Sequence, residues 1–197
     1  MINPPSITAD LALADIPARD RPTVFTLTSA ATSDPLAHAV QGCIGVGRCR
    51  SSGGGVMCPS YRATGDEKDS TRGRARVLQE MVRTGPDAGW ASTDVAEALD
   101  LCLSCKACSS DCPTGVDMAT YKAEFLHHHY AGRLRPMAHY TVGRMPAWLP
   151  VTGLLAPVIN AMSNRPPSRW AARLAGLDGR RTLPAFAGLR QRNRLRA

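Results

Sequence analysis

The run Cys102-Leu103-Ser104-Cys105-Lys106-Ala107-Cys108-Ser109-Ser110-Asp111-Cys112-Pro113 decides how this chain of 197 residues is read. Three cysteines at two-residue intervals, then a fourth after three more residues with proline behind it, is a spacing that wraps thiolates round a cubane iron–sulfur cluster. The first three sulfurs take one cluster. The fourth, beyond which proline fixes the backbone, reaches a different one. A second set of cysteines is therefore required. Cys43, Cys49 and Cys58 supply it, the last again followed by a proline, Pro59.

Laid on the downstream run, the upstream one pairs Cys43 with Cys102, Cys49 with Cys108 and Cys58-Pro59 with Cys112-Pro113, while Val46 falls where Cys105 stands. With the terminal cysteines exchanged between halves, as two-cluster ferredoxins exchange them, Cys102, Cys105, Cys108 and Cys58 complete a 4Fe-4S site. Cys43, Cys49 and Cys112 leave the other site one thiolate short. An apolar Val46 cannot ligate iron, so the expectation there is a 3Fe-4S cluster, or a 4Fe-4S cluster with one exchangeable iron. The pairing has one irregularity: eight residues, Arg50 to Met57, separate Cys49 from Cys58, where three separate Cys108 from Cys112. Consecutive glycines, Gly53 to Gly55, let that insert loop out.

Disulfides are one alternative use of seven cysteines. The start Met1-Ile2-Asn3-Pro4-Pro5-Ser6 has no basic segment followed by an apolar run, so no signal peptide is read, and the thiols are expected to stay reduced in the cytoplasm. Zinc is the stronger rival, since paired CxxC motifs bind it. It takes four ligands from two separated pairs, whereas consecutive two-residue intervals ending in Cys-Pro suit a cluster. The reading is therefore iron–sulfur, with a zinc-stabilised interaction module as the alternative.

Cys43 to Cys58, the following Pro59-Ser60-Tyr61-Arg62-Ala63-Thr64 and Ser70-Thr71-Arg72-Gly73-Arg74, and then Cys102 to Asp117, together resemble the ferredoxin segment of bacterial FAD-linked oxidases. Those are large flavin and iron–sulfur dehydrogenases acting on 2-hydroxy acids such as lactate, glycolate or 2-hydroxyglutarate. Similar modules occur in the iron–sulfur subunits of glycolate oxidase, anaerobic glycerol-3-phosphate dehydrogenase and heterodisulfide reductase. The cluster half is also similar to the C-terminal helical domain of the succinate dehydrogenase iron–sulfur subunit, where an apolar residue likewise replaces the second cysteine of a three-iron site. The resemblance covers about residues 37 to 135. It implies an all-α fold, an α-helical ferredoxin domain with two iron–sulfur clusters. It also implies a flavin domain upstream and a Cys-Cys-Gly domain downstream; neither pattern is present, so the chain reads as an excised or separately encoded middle piece.

Punctuation residues divide the chain into an extended leader or linker (1–33), the iron–sulfur domain (34–135), and a Pro-interrupted apolar segment with an arginine-rich tail (136–197). The leader, with its alternating Thr23-Val24-Phe25-Thr26-Leu27-Thr28, is expected to need a partner to order it. Asp34-Pro35 opens a helix that delivers Cys43. Ser70 or Thr71 caps a second, running to Gly85 with Ala75, Leu78, Met81 and Val82 on one face. Ser92, Thr93 or Asp94 caps a third, with Val95, Ala98, Leu99 and Leu101 inward. Asp117 starts a fourth, with Met118, Tyr121 and Phe125 along one side. Residues 1–164 hold 15 Lys/Arg and 15 Asp/Glu, and residues 165–197 nine arginines against Asp178, which accounts for the net +8.

Several features invite readings that geometry disfavours. His127, His128 and His129 are consecutive, and helical neighbours point about 100° apart, so they cannot meet on one ion. Gly42, Gly45 and Gly47 follow no strand and are no dinucleotide fingerprint; they allow backbone amides near cluster sulfurs. Residues 145–162 are apolar but broken by Pro146, Pro150 and Pro157, too short to span a bilayer. The basic tail suits an acidic protein face or an anionic membrane surface at the inner face of the membrane. Lacking interleaved aromatics or a recognised motif, it is not read as binding nucleic acid. The expected function is an electron relay: single electrons pass from the flavin of an FAD-containing dehydrogenase subunit or domain to a cysteine-rich domain or other acceptor. A heterodisulfide-reductase-like iron–sulfur subunit, which would need a thiol-active partner, is the alternative to it. No flavin-binding pattern, catalytic base or substrate pocket is legible, so no flavin binding or substrate turnover is expected of this chain alone.

Overall fold

The computed structural model describes residues 23–25, 27, 34–84, 89–163, 167–178, 180 and 185–188, and among these every regular element is helical. Most of the leader, Gly85 and the end of the arginine-rich tail lie outside the described residues. Two compact units divide the chain, Met1–Ala131 and Gly132–Ala197.

In the first unit the helix starts follow from their caps. Asp34 accepts the Ala37 amide at 2.9 Å and Pro35 takes the first helical position, starting α1 (Pro35–Gln41), which ends just before Cys43. Pro59 opens α2 (Pro59–Thr64) directly behind Cys58. Ser70 caps α3 (Thr71–Thr84), its hydroxyl accepting the Gly73 amide at 2.8 Å. Ser92 caps α4 (Thr93–Asp100) through the Val95 amide at 3.3 Å. After α5 (Ala107–Asp111), Asp117 caps α6 (Met118–His129) through the Thr120 amide at 3.2 Å. Short 3-10 turns cover Arg48–Arg50 and Glu67–Asp69.

Helix α3 packs on α1, α4 and α6, and the core forms from Leu36, Val40, Ala75, Leu78, Val82, Leu99, Met118 and Phe125. Each large apolar side chain among them contributes about 1.5–3 kcal/mol by leaving water. Tyr121 ties α6 to α1, its hydroxyl donating to the Ala39 carbonyl at 3.0 Å. Burial pushes that phenol up to about 12. Leu101 departs from the inward face expected of it: it caps α4 rather than belonging to it, and stands 46% exposed.

The described part of the leader is anchored within the chain. Glu124 is fully buried, and a buried carboxylate is costly unless donors surround it. The Val24 and Phe25 amides each donate to it at 3.0 Å, and His128 Nε2 stands 3.0 Å away. Leu27 is buried beyond them.

The second unit holds α7 (Met137–Thr141), α8 (Met145–Leu154), α9 (Ala156–Ser163) and α10 (Pro167–Leu174). Pro146 and Pro157 fall in first turns, where a missing N–H is no loss, and only Pro150 lies inside a helix. Helices α8 and α9 meet at a bend of 98°, and no single helix among the described residues is long and apolar enough to cross a membrane. Trp148 fastens the unit: its indole N–H donates to the Thr141 carbonyl at 2.7 Å, and its ring meets Phe186 edge-on at 6.0 Å.

Candidate metal centres

Two cavities of similar size lie between the cysteine runs. One, of about 300 Å³ counting its mouth, is lined by Cys43, Cys49 and Cys112 with Val46, Thr71 and Arg72 among its other walls. The second, of about 290 Å³, is lined by Cys58, Cys102, Cys105 and Cys108 with Thr71, Arg74 and Met118. Cys58 thus sits with the downstream cysteines and Cys112 with the upstream ones. All seven thiols are free. Neither wall carries a carboxylate, and both carry cations, a lining that suits soft sulfur ligation of an anionic group. Four sulfurs on one zinc would stand within about 4 Å of one another. Among the described residues no three His, Cys, Asp or Glu side chains converge on a single ion.

The two runs repeat one backbone. Gly45 and Gly47 have φ of 83° and 78°, and the residues opposite them in the downstream run, Ser104 and Lys106, have φ of 52° and 58°. Left-handed backbone is unfavourable for a residue with a side chain, so its recurrence at both places shows that the conformation matters more than the residue. Gly47 and Lys106 then lead into equivalent turns, Arg48–Arg50 and α5. Within this repeat Val46 occupies the position of Cys105. Both are exposed at the cavity mouths, beside the exposed Ile44 and Leu103.

The insert Arg50 to Met57 does not loop out freely. Asp111, in α5 of the other run, accepts the Val56 and Met57 amides at 2.9 and 3.1 Å, and Arg62 holds the Gly54 and Gly55 carbonyls at 2.9 Å. These bonds carry Cys58 across to the downstream cysteines. Cys58 itself takes left-handed backbone, φ 56°, before Pro59 starts α2.

Helix N-termini point their amides at the sulfurs. At α3 the Thr71 amide donates to Cys58 Sγ at 3.1 Å, and the next amide, of Arg72, faces Cys49 together with the Ser70 hydroxyl. At α6 the Met118 and Ala119 amides face Cys108. Burial pushes the Cys49 and Cys108 thiols up, and these donors offset only part of it. Cys112 goes the other way: burial raises it, but the Thr114 hydroxyl and the amides of Val116, Thr114 and Gly115 outweigh that and hold it below the usual thiol value. Such N–H to sulfur bonds stabilise thiolates, the form that ligates metal.

Residues 36–116 match the sequence model of the family described as a 4Fe-4S dicluster domain. All seven cysteines fall within the matched residues. Proteins similar to parts of the chain include D-2-hydroxyglutarate dehydrogenase of Pseudomonas putida, 25% identical over 67% of this chain and 16% of the relative. The Escherichia coli enzyme of the same name is 26% identical over 56% of the chain and 14% of the relative. The E. coli glycolate oxidase iron-sulfur subunit is 31% identical over 39% of the chain and 17% of its own length. The matched region therefore spans about a sixth of these relatives. No solved structure matches the chain.

Of the histidine triplet, His128 and His129 pack inside the first unit while His127 is exposed. His128 stacks on Trp90 at 4.3 Å, and His129 Nδ1 meets the Trp90 carbonyl at 2.8 Å and stacks on Phe125. The residues missed from sequence are those that flank the sulfurs: Thr71, which borders both cavities, and Arg74. Their run was visible as Ser70-Thr71-Arg72-Gly73-Arg74, but arginine is ordinarily a surface residue, and nothing in the spacing marks one for burial.

Proposed function

We propose that the chain is an electron-transfer module that relays single electrons from the flavin of a partner dehydrogenase to an acceptor. The observation that carries this is the division of seven cysteines between two cavities with the terminal ones exchanged. In this reading Cys102, Cys105, Cys108 and Cys58 hold a 4Fe-4S cluster. Cys43, Cys49 and Cys112, with Val46 in the fourth position, hold a 3Fe-4S cluster or a 4Fe-4S cluster with a labile iron. Clusters bound there would supply one-electron storage, which a two-electron flavin donor requires of its relay. The chain's own part is to fix the sulfurs, to direct the α3 and α6 amides at them, and to close one side of each cavity with Thr71.

The flavoprotein partner is proposed on two supports. The relatives are a hydroxy-acid dehydrogenase and an oxidase iron–sulfur subunit, of which this chain spans a small part. In the second unit, α8 to α10 present Leu154, Val158, Met162, Trp170 and Leu174 to solvent, apolar surface that a protein neighbour would cover. Its substrate class would be a 2-hydroxy acid. Free thiols suit a reducing compartment, and the cytoplasm is where we place the chain. Titration of anaerobically prepared chain with photoreduced flavin tests the relay. Stepwise bleaching of its visible absorption, with flavin reoxidised in proportion, is the expected result; flavin that stays reduced overturns it.

A further inference from the structure

Arg74 has no place in the cysteine spacing, yet it is 2% exposed and its guanidinium lies against a cysteine sulfur. A buried cation is costly unless its donors are matched. Two of the three guanidinium nitrogens are engaged: Nε donates to the Ala98 carbonyl at 2.9 Å, and Nη2 donates to Ser60 Oγ at 3.0 Å with Asp69 Oδ1 standing off it at 3.7 Å. The remaining arm, Nη1, is 3.7 Å from Cys58 Sγ. Asp69 is buried as well, and that same Oδ1 has no hydrogen-bond partner.

The side chain lines the cavity of Cys58, Cys102, Cys105 and Cys108 and not the other. Lys106 lines it too, but is exposed and paired with Asp117 at 3.0 Å, so solvent screens it. Of the two charged side chains that line that cavity, Arg74 is therefore the buried one, with Asp69 as its counter-charge.

We infer that Arg74 is a positioning residue that sets the reduction potential of the four-cysteine site. Reduction adds negative charge to a thiolate-ligated group, and a buried cation beside one of its sulfurs favours the added electron. Asp69 acts in the opposite sense, by partly neutralising that cation. The two charges thus tune one site of the pair, which fixes the direction in which an electron prefers to rest. This rests on the cluster reading above.

Potentiometric titration of the full chain, followed by electron paramagnetic resonance so that each centre is read separately, tests it. Arg74→Gln should disfavour reduction of the four-cysteine site by about tenfold, which is about 59 mV for a one-electron couple, and leave the three-cysteine site in place. Arg74→Lys should retain most of the native potential, and Asp69→Asn should move it upward. A purely structural role would shift R74Q and D69N in the same direction, or leave both potentials unmoved; either result overturns the inference. If R74Q does not fold, the upward shift of D69N and retention in R74K decide, and their absence counts against it. Native protein without iron and sulfide would sink the cluster reading as well. Native protein with both centres but no opposite shifts would sink this inference alone.

Discussion

Val46 and Cys105 stand at one place in two copies of a backbone, and one side chain can ligate iron where the other cannot. The cysteine runs, their grouping about two cavities and the position of Val46 opposite Cys105 were legible, because ligand spacing is a local property of the chain. Arg74 was not, because burial of a charge depends on what packs over it. If three thiolates serve the upstream site, the oxidised protein should give the near-isotropic resonance of a three-iron centre. Val46→Cys should abolish that signal and add about one iron per chain. Native protein with no oxidised-state signal and about eight irons would mean that water or another group completes the site. Cys105→Ser should remove about four irons and spare the oxidised signal, with circular dichroism showing that helix content is kept.

At the scale of elements, these helix starts were legible to within a residue or two, and the structure assigns the caps to Asp34, Ser70, Ser92 and Asp117, each accepting an amide of its helix's first turn. The helices of the second unit were not, because Pro146 and Pro157 read as breaks when they in fact occupy first turns. Nor could sequence show how closely the Glu67–Asp69 turn lies on α3: a Cβ at Gly73 would collide with the Glu67 carbonyl. Gly73→Ala should therefore cost about 1–3 kcal/mol and bleach the chromophore at a lower temperature. Gly53→Ala, with nothing within 4 Å of its Cβ, should melt like the native protein. The leader's anchor is equally non-local, pairing residues 24 and 124. Glu124→Ala should cost about 3 kcal/mol. Hydrogen exchange should quicken at the Val24 and Phe25 amides; unchanged protection there would contradict the anchor.

Across the whole molecule, charge and exposed apolar surface are divided between the two units. Residues 132–197 carry twelve arginines and a single acid, Asp178, together with the outward-facing side chains of α8 to α10. A surface of that kind is built for a neighbour, and the isolated chain should self-associate. Leu154→Glu combined with Val158→Glu should shift it toward monomer in analytical ultracentrifugation, without loss of colour. Failure to shift would place the contact elsewhere. Composition made the charge asymmetry plain, but which apolar residues face outward required the helices to be known. The relay itself depends on what the two cavities hold. Chain prepared without oxygen and assayed for iron, acid-labile sulfide and zinc tests that most directly. The account predicts a brown protein with about seven to eight irons and a near-equal amount of sulfide. A colourless protein with stoichiometric zinc and no sulfide would contradict it.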